Sequence, residues 1–131
     1  MKKLVLGLAL SLAFAMPAFA GDPVEGIWQT TPDDNGNFGH IEVKPCGERI
    51  CGTLIRAFGP DGKPMKSDNV GKRIIWDMVP LGGGRYGKGK IWSPDRDKTY
   101  SSKMELVGDK LHVKGCILVI CRDGGTWTRV K

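Results

Sequence analysis

The sequence predicts an all-β fold: a small antiparallel up-and-down β-barrel of about eight strands, stapled by disulfides. Three observations predict it. Glycines and prolines punctuate residues 21–131 about every ten residues, the spacing of short strands in a sandwich or barrel. Between these breaks, apolar and polar residues alternate with a period of two. No helical periodicity extends beyond two turns. Consecutive short strands joined by short turns form a meander, and closing the meander removes exposed edges.

The first strand is expected over 26–31. Pro32-Asp33-Asp34-Asn35-Gly36-Asn37 is dense in turn formers and ends it. The second strand, 38–44, places Ile41 and Val43 on one face and His40, Glu42 and Lys44 on the other. A tight turn at 46–51 leads into a third strand over 50–58. Residues 59–72, with Gly59, Pro60, Gly62, Pro64 and Gly71, are the longest stretch without pattern. A loop of that length in a small domain is often functional. Strands four to six follow at 73–79, 85–92 and 99–107, separated by 80–84 and by Ser93-Pro94-Asp95-Arg96-Asp97-Lys98. Gly108-Asp109-Lys110 turns into a seventh strand at 111–117, and an eighth closes the chain at 125–130. Gly87 and Gly89 share one strand face, where absent side chains permit a sharp bend or close backbone approach.

The N-terminus carries an export pattern. Met1-Lys2-Lys3 is a basic start, 4–14 is an apolar run, Pro17 follows, and Ala18-Phe19-Ala20 is a small-x-small cleavage site. The apolar run is short for a bilayer span, which needs about 20 residues. The expectation is a signal peptide over 1–20, cut after Ala20, and a single periplasmic domain over 21–131. No integral membrane segment is expected after the cut. The remaining chain has 18 basic and 14 acidic residues, scattered without a block. That pattern gives no nucleic-acid face.

An oxidising compartment makes Cys46, Cys51, Cys116 and Cys121 disulfide candidates. Four cysteines allow three connectivities, and the sequence does not choose among them. With Glu48-Arg49 at a hairpin tip, Cys46 would face Cys51 in a cross-strand pair close enough to bridge. The same spacing recurs at Cys116 and Cys121. A tetrathiolate zinc site would use the same four residues, but export and the lack of nearby His ligands disfavour it. No metal and no cofactor are expected. His40 and His112 sit among polar neighbours, no Gly-x-Ser-x-Gly elbow exists, and no enzyme is expected.

Gly26-Ile27-Trp28 opens the first strand and Thr126-Trp127-Thr128-Arg129 ends the last. In a closed meander these strands are neighbours. Trp28, Trp127 and Arg129 are therefore the candidate barrel plug, with the guanidinium stacked on indole. This Gly-x-Trp…Arg arrangement resembles the lipocalin and wider calycin signature.

Four further segments stand in order: Cys46-Gly47…Cys51-Gly52, Gly87-Lys88-Gly89-Lys90-Ile91-Trp92-Ser93-Pro94, Lys98-Thr99-Tyr100, and Gly115-Cys116…Cys121. Together with the two ends, they closely resemble the domain of unknown function 2147 family of small exported bacterial proteins. The resemblance covers nearly all of 21–131 and implies a lipocalin-like barrel. It implies no particular activity.

The candidate interior is Ile41, Val43, Leu54, Ile74, Trp76, Met78, Ile91, Met104, Leu106 and Val113. Trp76, Met78 and Met104 are the candidate ligand contacts, since large adaptable side chains suit an apolar pocket. The function expected is binding of a small, partly apolar or amphipathic ligand. The alternative is a cell-envelope protein-interaction module with a filled barrel and no ligand, working through 59–72.

Overall fold

In the computed structural model, which describes residues 21–131, the chain forms nine antiparallel strands and no helix among the described residues. They are β1 (Gly26–Gln29), β2 (Phe38–Cys46), β3 (Arg49–Phe58), β4 (Pro64–Met65), β5 (Arg73–Gly82), β6 (Arg85–Ser93), β7 (Lys98–Val107), β8 (Lys110–Ile117) and β9 (Ile120–Arg129). Each long strand pairs with the next, and β1 pairs with both β2 and β9. Eight strands therefore close an up-and-down barrel. β4 is a two-residue addition that folds the 59–72 loop back onto the end of β3. The export pattern at 1–20 lies outside the described residues.

The core follows the period-two expectation along most strands. Ile41, Val43, Leu54, Ile74, Met78, Met104 and Val113 are buried, and Ile91 and Leu106 pack against them. Trp76 departs from it. The β3–β5 pairing shifts register on both sides of Trp76, and Asp77 takes a left-handed φ of 56°, so the inward residues are Ile74, Ile75 and Met78. Trp76 is left half-buried, paired with Lys90 across the sheet. An inserted residue of this kind shifts side chains to the other face and bends the strand. Next door, a Cβ at Gly89 would lie 2.7 Å from the Trp76 carbonyl oxygen. The glycine permits that approach.

Both disulfides are local: Cys46–Cys51, with Cα atoms 5.8 Å apart, and Cys116–Cys121, at 4.0 Å. The first hairpin differs in register from the expectation. Cys46 faces Arg49, and the turn is Gly47-Glu48 instead of Glu48-Arg49. Gly47 has φ +72° at the first turn position, where II′ hairpin turns place glycine. Cys46 and Cys51 are thus diagonal, not directly opposed. In the second hairpin Cys116 faces Cys121 directly, and β9 starts at Ile120, five residues before its expected start.

Candidate functional site

The two barrel ends are built differently. One end is sealed by the turn that precedes β1. Val24 and Trp28 are fully buried there, and the Trp28 indole N–H donates to the Val24 carbonyl at 2.9 Å. The Arg129 guanidinium lies 4.4 Å from the Trp28 ring centroid. Its two terminal nitrogens donate to the carbonyls of Glu25 (3.0 Å) and Pro23 (2.7 Å), and Nε donates to the Asp109 carboxylate at 3.2 Å. On the far side of the turn the Tyr86 hydroxyl donates to Asp22. Burial and then the Asp22 carboxylate push the Tyr86 phenol well above its ordinary range, so it stays a donor. Met78, Met104 and Leu111 fill the interior behind this seal.

The other end is open. A cavity of about 860 Å³ enters between the β1–β2, β6–β7 and β8–β9 connections and the 59–72 loop. Ile41, Leu54, Ile74 and Trp127 form its buried floor, and Ile91, Tyr100 and Gly115 form one wall. Ser67 and Asn69 of the 59–72 loop border the mouth. Arg96, Lys98 and Arg122 stand on the rim, and among the described residues none of them forms an ion pair. Asp33, Asp95 and Asp123 are also on the rim, and each is bound within its own turn. Asp33 accepts from the Asn35 and Asn37 amides, Asp95 from the Ser93 hydroxyl, and Asp123 from the Gly125 amide. The rim thus offers cations with free donors beside carboxylates already engaged by backbone or hydroxyl groups.

None of Trp76, Met78 and Met104 lines this cavity. Met78 and Met104 are buried toward the sealed end, and Trp76 is turned away by the register shifts on either side of it. Trp28 and Arg129 meet as a pair, whereas Trp127 belongs to the cavity floor and not to the seal. The sequence held a usable signal for this. In an up-and-down meander with Trp28 at the start of β1, the ends of β5 and β7 and the starts of β6 and β8 lie at the Trp28 end. Met78, Tyr86, Met104 and Leu111 therefore belong to the seal. The opposite strand ends, with Ile74, Ile91, Tyr100 and Gly115, belong to the mouth.

The histidines lie off the cavity. His40 Nε2 pairs with Gln29 Oε1 at 3.2 Å, and His112 Nδ1 pairs with Thr126 Oγ1 at 3.0 Å. Burial, and secondarily the nearby Arg56 charge, lowers the His40 pKa below its ordinary value. Among the described residues no group of three or more His, Cys, Asp or Glu side chains is placed to hold a metal ion.

A family profile described as "Uncharacterized protein conserved in bacteria (DUF2147)" matches residues 26–129, from the Gly-x-Trp start to Arg129. The chain belongs to the DUF2147 family. The match spans every strand of the barrel and both cysteine hairpins. No curated protein matches the sequence. Among solved structures the barrel is similar to protein HP1028 from Helicobacter pylori, described as belonging to the lipocalin family. The TM-score is 0.67 at 18% sequence identity, covering 82% of this chain and 83% of that one. At that identity the likeness is one of fold: this DUF2147 chain is a lipocalin-like barrel.

Proposed function

We propose that this protein is a non-catalytic periplasmic binding protein that holds one small amphipathic ligand in the open half of its barrel. The observation that carries the reading is the cavity: about 860 Å³, floored by buried apolar side chains and sealed at its far end. That volume falls within the range of about 300–1,000 Å³ common to small-molecule pockets. The apolar part of the ligand would rest on Ile41, Leu54, Ile74 and Trp127, and its polar end would meet Arg96, Lys98 and Arg122 at the rim. The open half favours this reading over the interaction-module alternative, which supposes a filled barrel. A non-enzymatic role is supported by the engagement of both histidines away from the cavity and of all four cysteines in disulfides. Those disulfides and the export pattern at 1–20 support the periplasm.

The test fills the cavity from a position with room for it. A Cβ at Gly115 would meet Tyr100 and Ile91 at 3.5–3.6 Å, ordinary contact distances, and Gly115 has no left-handed φ. Gly115→Leu should therefore fold and occupy the space. The protein, expressed with its own N-terminus and purified from the periplasm, is titrated with dodecanoate and with a naphthalene-sulfonate fluorophore. Wild type should bind both competitively, and Gly115→Leu should lose at least about tenfold in affinity while keeping its thermal midpoint. No binding by wild type, or equal binding by the variant, refutes the pocket.

A further inference from the structure

At the cavity mouth, the β8–β9 hairpin ends in four consecutive aliphatic residues that face solvent, and Ile117, Leu118 and Ile120 also line the mouth. Ile117 is 63% exposed, Leu118 90%, Val119 93% and Ile120 68%. The Cys116–Cys121 bridge ties the two strands immediately behind them, so the tip is held as a rigid projection. None of the four belongs to the hydrophobic core. Leu118 also sits at φ +57°, a left-handed turn position that suits Gly, Asn or Asp and disfavours a bulky aliphatic residue. Both choices work against local folding: exposed apolar area, and a strained residue where a better turn former exists. Departures of this kind without a compensating contact are typical of functional sites.

The charge around the tip indicates what it meets. Lys88, Lys90 and Lys103 border a shallow surface groove that Leu118 and Cys116 also line. Arg96 and Arg122 stand on the mouth side of the same tip. Residues 85–123 carry nine basic and five acidic groups, whereas the rest of 21–131 carries nine of each. The whole net positive charge of 21–131 therefore lies in this stretch, about a third of those residues, which bears the tip. Of the five acidic groups, Asp95, Asp97 and Asp123 lie toward the mouth end, where Asp97 accepts from the Trp92 indole and the other two serve their turns; Glu105 and Asp109 lie toward the sealed end. Lys90 pairs with Ser101, and Ser101 with Cys116, so Lys90 lies two residues behind Leu118, whereas Lys103 pairs with Lys114, two residues farther back. At a strand rise of about 3.3 Å per residue each two-residue step is roughly 7 Å. Interfacial segments bury their apolar side by about 5–10 Å, with basic residues at headgroup level.

We infer that the Ile117–Ile120 tip is a membrane-docking finger that inserts into the surface of an anionic lipid bilayer, with Lys88, Lys90 and Lys103 contacting the headgroups. A second copy of the chain is a poorer occupant. Apposed tips would bring two basic flanks together, and a four-residue projection is far smaller than the roughly 800 Å² per partner of a stable protein interface. The inference does not rest on the ligand reading, although docking here would bring the cavity mouth to the membrane.

The experiment is co-sedimentation of the periplasm-purified protein with vesicles of equal parts phosphatidylglycerol and phosphatidylethanolamine, against vesicles of phosphatidylcholine alone. Wild type should bind the anionic vesicles, more weakly as salt rises, because exposed charge interactions are screened over about 10 Å at 0.1 M salt. Leu118→Asn/Val119→Gly places a hairpin-forming pair at the tip and so keeps the fold; it should lower vesicle binding at least about tenfold. Val119→Asp should do the same, and Lys88→Gln/Lys103→Gln should weaken binding and flatten its salt dependence. Gly115→Leu, which fills the cavity, should keep vesicle binding. The inference is overturned if wild type ignores anionic vesicles, if the tip variants bind like wild type, or if Gly115→Leu loses vesicle binding. Sedimentation velocity supplies the last arm: a wild-type dimer abolished by the tip variants assigns the tip to self-association instead.

Discussion

Replacing Arg129 with methionine should lower the stability of the barrel by about 2–4 kcal/mol. Methionine keeps an apolar stem against Trp28 but loses the charge and the planar fork. The guanidinium–indole contact at 4.4 Å contributes about 0.5–2 kcal/mol. The hydrogen bonds to the Glu25 and Pro23 carbonyls are charge-assisted, and about 1 kcal/mol each remains after allowing for water that reaches this end. The ion pair with Asp109 adds little, because the Asp109 side chain is 82% exposed. For a chain of this length each kcal/mol moves the thermal midpoint by about 4 °C, so the drop should be roughly 8–16 °C. The assay is thermal unfolding followed by circular dichroism under non-reducing conditions. Arg129→Lys serves as the control: it restores a cation but cannot reach two carbonyls at once, so its midpoint should fall between the two. A loss below about 1 kcal/mol for the methionine variant would refute the view that Arg129 clamps the pre-β1 turn over the barrel end.

Two further outcomes follow from the same structure. Cys46 and Cys51 are five residues apart, so opening that bridge with Cys46→Ser/Cys51→Ser should cost about 2 kcal/mol in urea unfolding, the value for a short closed loop; no change in midpoint would contradict it. His40 has a pKa lowered by burial and then by Arg56, so the folded state favours its neutral form. Its contribution is present above the unfolded value of about 6.5 and is lost as pH falls through the lowered folded value. Urea midpoints at about pH 7.5 and pH 5.5 should therefore differ less in His40→Gln than in wild type, and equal slopes would reject the assignment.

What could be read from the linear chain was what depends on local chemistry. Period-two alternation at Ile41 and Val43, with turn formers at 32–37, 80–84 and 108–110, is enough to specify strands and hairpins. The even spacing of the cysteines placed each pair within reach of a local bridge. The early Trp28 and late Arg129 meet because a closed meander makes first and last strands neighbours. Tertiary structure decided the rest. Whether an inward residue lines a cavity or fills a seal depends on how far along the barrel it sits, and period-two patterning carries no such coordinate. Met78 and Met104 are inward but lie behind the seal, whereas Leu54, Ile74 and Trp127 are inward and floor the cavity. Two register shifts against β3, one on each side of Trp76 and one of them at the left-handed Asp77, turned Trp76 to the other face, because each extra residue inverts the strand's alternation. The exposure of Ile117 to Ile120 was equally hidden. None of the four was in the candidate interior, but only the β8–β9 register shows that they form a turn projecting at the barrel rim.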